Sequence, residues 1–493
     1  MFIKRHPVLC AVLALLLAAL VVPFSVFGQD NSGWIGQRVI THFGAVLQIG
    51  NQVVDDEKRS TNLPVSGKDR RVFRVYRVEH VNGHWLWLKA EKEGIEGWVK
   101  AEFVIPYDQA IDYFTNQIRS NPTGGVWYLR RGTLWCEKSE YDIAIADFNE
   151  AIRLDPSNEV AFYNRGIAWH FKKEYDKAIA DYNEAIRLNS KYAPPFNGRG
   201  AAWSFKNEYD KVIADFSEAI RLDPKNAAPF NNRGEFWKAK REYDKAIADY
   251  NEAIRLDPKN AGAYSQRASV YYEKKEYDKA IADYNEAIRL DPKLVFAFTG
   301  RGNAWRAKKE YDKAMADYNE IIRLDPKNAG AYSSRGSVYY ERKDFDRAIA
   351  DYNESVRLAP DEPYYVWRRG SIWNHKKQYD RAIADYKETI RLDPKYTDAY
   401  NSLAWLWATC PEKSFQDGKK AVEFGTRACE LSEWKNASHL DTLAAAYAEL
   451  GEFDKAVEWQ VKAINLISDA KDKQEYQDRV NLYKANKPYR NTE

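Results

Sequence analysis

Residue types that could do chemistry are few and scattered along this 493-residue chain. Its histidines fall at His6, His42, His80, His84, His170, His375 and His439, and its cysteines at Cys10, Cys136, Cys410 and Cys429. No cysteine pair has metal-ligand spacing, and phosphate loops, zinc signatures, the G-x-S-x-G elbow and calcium loops are missing from the sequence. His80 and His84 flank a turn and could approach each other, though a solvated surface pair explains them as well. What does recur is a charge pair. Arginine stands at Arg131, Arg165, Arg199, Arg233, Arg267, Arg301, Arg335 and Arg369, and an aspartate follows each 16 residues later, from Asp147 to Asp385. A guanidinium grips a carboxylate at two points, which lysine cannot copy. Strict repetition marks this as a structural ladder between helices; a charged track for an acidic ligand is the other use. No catalytic residue, cofactor or metal is expected.

The elements that hold this ladder follow a period of 34. Pro122, Pro156, Pro224, Pro258, Pro292, Pro326, Pro360 and Pro394 fall on it, with Ser190 in the one gap. The block YDKAIADYNEAIRLDP recurs from Tyr243 and again from Tyr277. Within it Tyr243, Ala246, Ile247, Tyr250, Ala253 and Ile254 form one apolar helical stripe. Asp244 is expected to cap this helix, and Pro258 to end it, because a residue before proline is pushed out of the α region. The other half of each unit, such as AYSQRASVYY from Ala263, is also helical in period and follows an N-cap candidate, Asn260. One helical hairpin cannot bury both its faces, so neighbours must stack.

These features resemble the tetratricopeptide repeat family. Its small residue at the eighth place of each unit matches Gly132, Gly166, Gly200, Gly234, Ala268, Gly302, Gly336 and Gly370. Its eleventh-place aromatic matches Trp135, Trp169, Trp203, Trp237, Tyr271, Trp305, Tyr339 and Trp373, and its twentieth-place alanine is broken only by Val212. The resemblance implies a mainly α fold, a right-handed superhelical solenoid of helix-turn-helix repeats. Eight complete repeats span 125–396, after a half-repeat cap at 107–124. Two divergent repeats fill 397–470, the first with about five residues inserted near Thr409–Lys413, and a capping helix and tail fill 471–493. In the family the first helices line a concave groove. Its places here scatter in type, giving Tyr163, Asn197, Asn231, Glu235, Tyr272, Asn303, Arg306, Tyr340 and Trp367 as candidate peptide-groove residues. An aromatic and amide surface suits an extended peptide; drift on an exposed face would leave the same scatter. The fifth place holds no lysine, so the carboxylate clamp of some members is not expected.

Residues 34–106 follow a different grammar. RVFRVYRVEHV from Arg71 alternates in period two, Asn82-Gly83 marks a turn, and HWLWLKAE and EGWVKAEFV continue as strands. This segment resembles a small all-β SH3-like barrel, a family that often binds cell-wall peptides. The charged loop Asp55–Arg59 interrupts it, and Trp85, Trp87 and Trp98 read as core. Residues 1–28 read as a signal peptide: Lys4 and Arg5 precede an apolar run from Val8 to Val22, with Val26 and Gly28 before a cut at Gln29. If it is kept, it would anchor the chain to a membrane. Net charge is only +3, which gives no electrostatic case for nucleic acid. The expectation is therefore a non-enzymatic scaffold, exported to the periplasm or beyond, that binds a protein or extended peptide. The alternative is a wall-binding module in which the strand domain recognises a cell-wall peptide and the array is a spacer.

Overall fold

The computed structural model describes residues 37–41, 46–49, 52–55, 75–82, 85–90, 96–100, 104–206, 208–467 and 470–491. The expected leader 1–28, His42, His84 and the loop from Asp56 to Arg59 lie outside them, as do the side chains of His80, Trp85, Trp87 and Trp98. The chain forms two compact units, Met1–Pro258 and Lys259–Glu493.

The first unit opens with seven strands: β1 (Arg38–Thr41), β2 (Val46–Ile49), β3 (Gln52–Asp55), β4 (Val75–Asn82), β5 (Trp85–Ala90), β6 (Glu96–Lys100) and β7 (Val104–Pro106). They pair antiparallel in the order β3-β2-β6-β5-β4-β1-β7. The barrel expected from the sequence is not formed among the described residues, because the end strands β3 and β7 do not pair and the sheet stays open. Asn82, expected in the turn, belongs to β4 and pairs with Trp85. Ile40 of β1 and Ile105 of β7 are buried against Tyr107, Ala110, Phe114 and Leu134, so sheet and first helices share one core.

Nine helices follow in this unit: α1 (Ala110–Ser120), α2 (Gly125–Glu137), α3 (Tyr141–Leu154), α4 (Glu159–Phe171), α5 (Tyr175–Leu188), α6 (Ala193–Phe205), α7 (Tyr209–Leu222), α8 (Ala227–Ala239) and α9 (Tyr243–Leu256). The second unit holds α10 (Ala261–Glu273), α11 (Tyr277–Leu290), α12 (Val295–Ala307), α13 (Tyr311–Leu324), α14 (Ala329–Glu341), α15 (Phe345–Leu358), α16 (Pro363–His375) and α17 (Tyr379–Leu392). It continues with α18 (Thr397–Thr409), α19 (Gly418–Leu431), α20 (Ala437–Glu449), α21 (Phe453–Leu466) and α22 (Ala470–Lys484). The protein is thus mainly α, with 22 helices among the described residues.

Each hairpin closes where a small eighth-place residue lets a large ring approach. A Cβ on Gly302 would lie 2.7 Å from the ring of Tyr318, which is fully buried. The same ring position in the preceding repeat, Tyr284, reaches onward to Gly300 of the next first helix, where an added Cβ would sit 2.2 Å from Cζ. One aromatic therefore closes its own hairpin and seats the next. Asn260 caps α10 as expected, accepting from the Ala263 amide at 3.0 Å. Asp244 is not the cap: α9 starts at Tyr243 after Glu242, so Asp244 lies inside the first turn. There it still favours the positive end of the helix dipole. The ninth repeat carries its insertion between α18 and α19. Eight residues, 410–417, join these helices where three, 308–310, join α12 to α13.

The arginine ladder is present in both units. Arg165 Nε and Nη2 donate to the two oxygens of Asp181 at 2.8 and 2.7 Å, and Arg301 does the same to Asp317. A third nitrogen crosses to the repeat before. Arg165 Nη1 donates to Asn149 at 2.7 Å, and Arg301 Nη1 to Asn285 at 2.6 Å. The guanidiniums of Arg165 and Arg301 so pin three helices each.

Candidate functional site

With the ladder spent on stacking, the charged groups left on the first helices decide what the array can hold. In the second unit they converge around Arg368, on α16. Its guanidinium is half-buried and stands over three rings, with Cζ 5.3 Å from the Tyr340 centroid, 5.8 Å from Trp367 and 5.9 Å from Tyr352. Its Nε donates to the Tyr352 hydroxyl at 3.2 Å, and that hydroxyl also meets Ser337 at 2.8 Å. No carboxylate pairs with Arg368 among the described residues. A cation held against aromatic faces and short of a counter-charge is set up to receive an anionic group.

The surrounding groups extend this centre along α10, α12 and α14. Tyr340 shares a 2.6 Å hydrogen bond with His375 Nε2, and the two rings meet edge to face at 5.3 Å. Burial lowers the His375 pKa, with the Arg368 charge adding to it, and burial raises the Tyr340 phenol against the pull of Arg368. Arg306 faces Glu341 at 3.3 Å, and burial raises Tyr272 while Arg306 draws it down. Trp367 is fixed by its indole nitrogen donating to Ser402 at 3.1 Å, and its ring lies 6.2 Å from exposed Tyr364. Asn303 accepts from the Tyr318 hydroxyl at 2.7 Å.

The candidates of the first unit sit differently. Tyr163 is packed between Tyr182 and Tyr192, with ring centroids 6.0 and 5.5 Å away. Asn197 accepts from Asn232 at 3.0 Å across neighbouring first helices. Asn231 has a buried Oδ1 with no hydrogen-bond partner among the described residues, and Glu235 is exposed. The structure thus brings Tyr272, Arg306, Tyr340 and Trp367 toward one cationic, aromatic surface, and adds Arg368, His375, Tyr364 and Glu341 to it. The sixth place holds arginine in two repeats, as Arg130 and Arg368, and otherwise runs Asn164, Gly198, Asn232, Gln266, Gly300 and Ser334.

A second opening, of about 390 Å³, is lined by Asp393, Lys395, Tyr396, Thr397, Asp398, Ser432, Asn436 and His439. It contains the residue types of a hydrolytic triad, with Asp398 Oδ1 3.7 Å from His439 Nε2, but its serine end is wrongly set. His439 Nδ1 meets Ser432 Oγ at 3.0 Å, but that hydroxyl already donates to the Ala428 carbonyl at 2.9 Å. The imidazole must then donate to Ser432, so it cannot take the hydroxyl proton. Among the described residues no group of three His, Cys, Asp or Glu could hold a metal ion. Cys136 and Cys429 are free thiols that burial pushes up to about 12.

Comparison with known proteins agrees with this architecture. Residues 132–170, 239–275 and 302–342 match the family described as TPR repeat, and residues 160–192, 261–294, 333–397 and 436–467 match families described as tetratricopeptide repeat. No curated protein sequence matches the chain. Among solved structures, yeast Tom70 is 18% identical over 77% of this chain and 92% of its own, with a TM-score of 0.41. A tetratricopeptide repeat protein from Parabacteroides merdae is 19% identical over 50% of this chain and 96% of its own, with a TM-score of 0.42. YrrB, described as a TPR protein with an unusual peptide-binding site, is 22% identical over 40% and 99%, with a TM-score of 0.32. Over the matched segments, this chain is built of tetratricopeptide repeats.

Proposed function

We propose that this protein is a non-enzymatic scaffold of the cell envelope that binds an extended peptide segment on the first-helix surface of α10, α12, α14 and α16. One observation carries the reading: the half-buried guanidinium of Arg368 lies among Tyr340, Tyr352 and Trp367 with no carboxylate of its own among the described residues. A partner that supplies an aspartate, a glutamate or a free carboxylate there would complete the pairing. The rings on either side offer apolar contact to its neighbouring residues. The fifth place still lacks a lysine, so the anion is met by a guanidinium at the sixth place instead. The basic start, apolar run and small-residue exit of residues 1–28 support export.

Photocrosslinking on the full chain tests this. A photoreactive residue in place of exposed Tyr364 should trap a protein from the envelope fraction, and one in place of Lys387, on a second helix, should not. Adducts of equal yield at both positions, or none at Tyr364, would remove the assignment. Adducts only from the strand domain would favour the alternative, in which that domain recognises a cell-wall peptide and the array is a spacer.

A further inference from the structure

The corner between the two helices of each repeat carries a second, separate feature. At Lys275, Lys309, Lys343 and Lys377 the backbone is left-handed, with φ of 61°, 61°, 61° and 57°. A side chain with a Cβ is disfavoured in that region, and glycine or asparagine is the usual occupant of such a helix end. The turn itself does not call for lysine. In the tenth repeat the equivalent corner is Gly451, with φ 87°, and its hydrogen bonds match. Gly451 N reaches the Ala448 carbonyl at 3.1 Å, as Lys275 N reaches that of Tyr272 at 2.8 Å. Four corners of the second unit therefore keep a charged side chain at a position where the fold favours its absence.

The charges around them are otherwise satisfied. The residue before three of these lysines pairs with the preceding corner, Lys308 with Asp278, Lys376 with Asp346, and Arg342 with Asp312 at 2.6 Å, while Lys274 pairs with Glu276 in its own corner at 3.5 Å. These pairs also show that successive corners are neighbours in space. Within each corner Lys279 pairs with Glu276, Lys313 with Glu310, and Arg347 with Asp344. The four left-handed lysines are exposed and make no ion pair among the described residues. Arg381 is also uncompensated among the described residues, because Gln378 stands where the other corners have a carboxylate; it lies over Trp373 at 4.7 Å. Glu273 and Asp380 are the carboxylates left over. Five cations thus face two carboxylates along one edge.

We propose that this edge of α10–α17 is a docking track for a linear phosphate-bearing polymer. Lysine suits that role better than it suits a defined carboxylate, since a compact ammonium on a flexible stem meets diffuse phosphate charge without a fixed fork. Regular spacing rewards a ligand long enough to reach several corners at once, and each phosphate contact releases counterions. The track is independent of the Arg368 surface.

The test uses the full chain and long-chain inorganic polyphosphate, with tripolyphosphate and phosphatidylglycerol vesicles as the other ligands. Long polyphosphate should bind more than about tenfold tighter than tripolyphosphate, with affinity falling steeply as salt rises. The joint substitution Lys275→Asn, Lys309→Asn, Lys343→Asn and Lys377→Asn should lower that affinity at least about tenfold. It should leave the chain as stable as before, because asparagine tolerates the left-handed region. Neutralising Lys293, Lys327, Lys387 and Lys395 in the same way should change binding less than about threefold. Equal loss in both variants would mean a general charge effect and overturn the track. Preference for vesicles, or no length dependence, would overturn it as well.

Discussion

Arg335 holds Asp351 by two parallel bonds, Nε to Oδ2 at 2.9 Å and Nη2 to Oδ1 at 2.7 Å, while its Nη1 donates to Asn319 of the preceding repeat at 2.7 Å. The carboxylate is buried, with 6% of its residue surface exposed. Removing one partner of such a pair strands a charge away from water, which costs more than the pair contributes when intact. Arg335→Leu should therefore destabilise the array by about 3 kcal/mol. Arg335→Lys, which keeps the charge and loses the fork, should cost about 1–2 kcal/mol. Chemical denaturation followed by circular dichroism reads both, and peptide binding at Arg368 should be unchanged in the lysine variant.

Gly300 meets the Tyr284 ring so closely that an added Cβ would lie 2.2 Å from Cζ. Gly300→Ala forces that ring or its helix to move, at about 1–3 kcal/mol. Gly330 is a useful contrast, since its nearest neighbour would be the Asn328 side chain at 3.3 Å. Gly330→Ala should be close to neutral in the same denaturation experiment, or slightly stabilising.

The period, the hairpins and the arginine–aspartate pairs were legible because they repeat, and repetition within one chain separates what packing needs from what varies. The third bond made by arginines such as Arg165 and Arg335 was not legible. It depends on how one repeat sits on the next, which sets Asn149 against Arg165 and Asn319 against Arg335. The cap assigned to Asp244 failed because the left-handed corner at Arg241 starts the helix earlier than residue type suggested. Of the expected groove residues, Tyr163 is held in ring packing, while Tyr340 and Trp367 flank the cation. Arg368 itself lies at a place between the groove columns. Its setting depends on Tyr352 of the preceding second helix, which no single-helix pattern shows.

Near the C-terminus, Asp441 is buried and bonded to Arg479 Nε at 2.8 Å and to Gln460 at 2.5 Å. Burial pushes its pKa up to about 6 against the pull of Arg479. A carboxyl whose folded value exceeds its unfolded value binds its proton more tightly in the native state. Its contribution is then complete below about pH 4 and is lost as pH rises through about 6. Asp441→Asn should flatten the fall in stability across that window, worth up to about 3 kcal/mol. Thermal melts of both proteins from acid to neutral pH would show it; parallel curves would contradict it.

His375 neighbours both Tyr340 and Arg368, and its lowered pKa keeps the imidazole neutral at neutral pH. An anionic ligand on Arg368 would offset the repulsion that helps lower it. Binding should then take up a proton, so affinity for an acidic peptide should rise as pH falls below the ordinary histidine value, into the range to which burial and Arg368 lower His375. His375→Asn should remove that rise, as titration calorimetry at a series of pH values would show.

The affinity of an acidic peptide for the full chain and for Arg368→Gln is the most direct measurement. Extended peptides selected from a random library by the wild-type protein should be enriched in aspartate and glutamate, and Arg368→Gln should weaken them about tenfold or more with no change in melting temperature. Selected peptides without acidic residues, or with equal affinity for both proteins, would contradict the assignment.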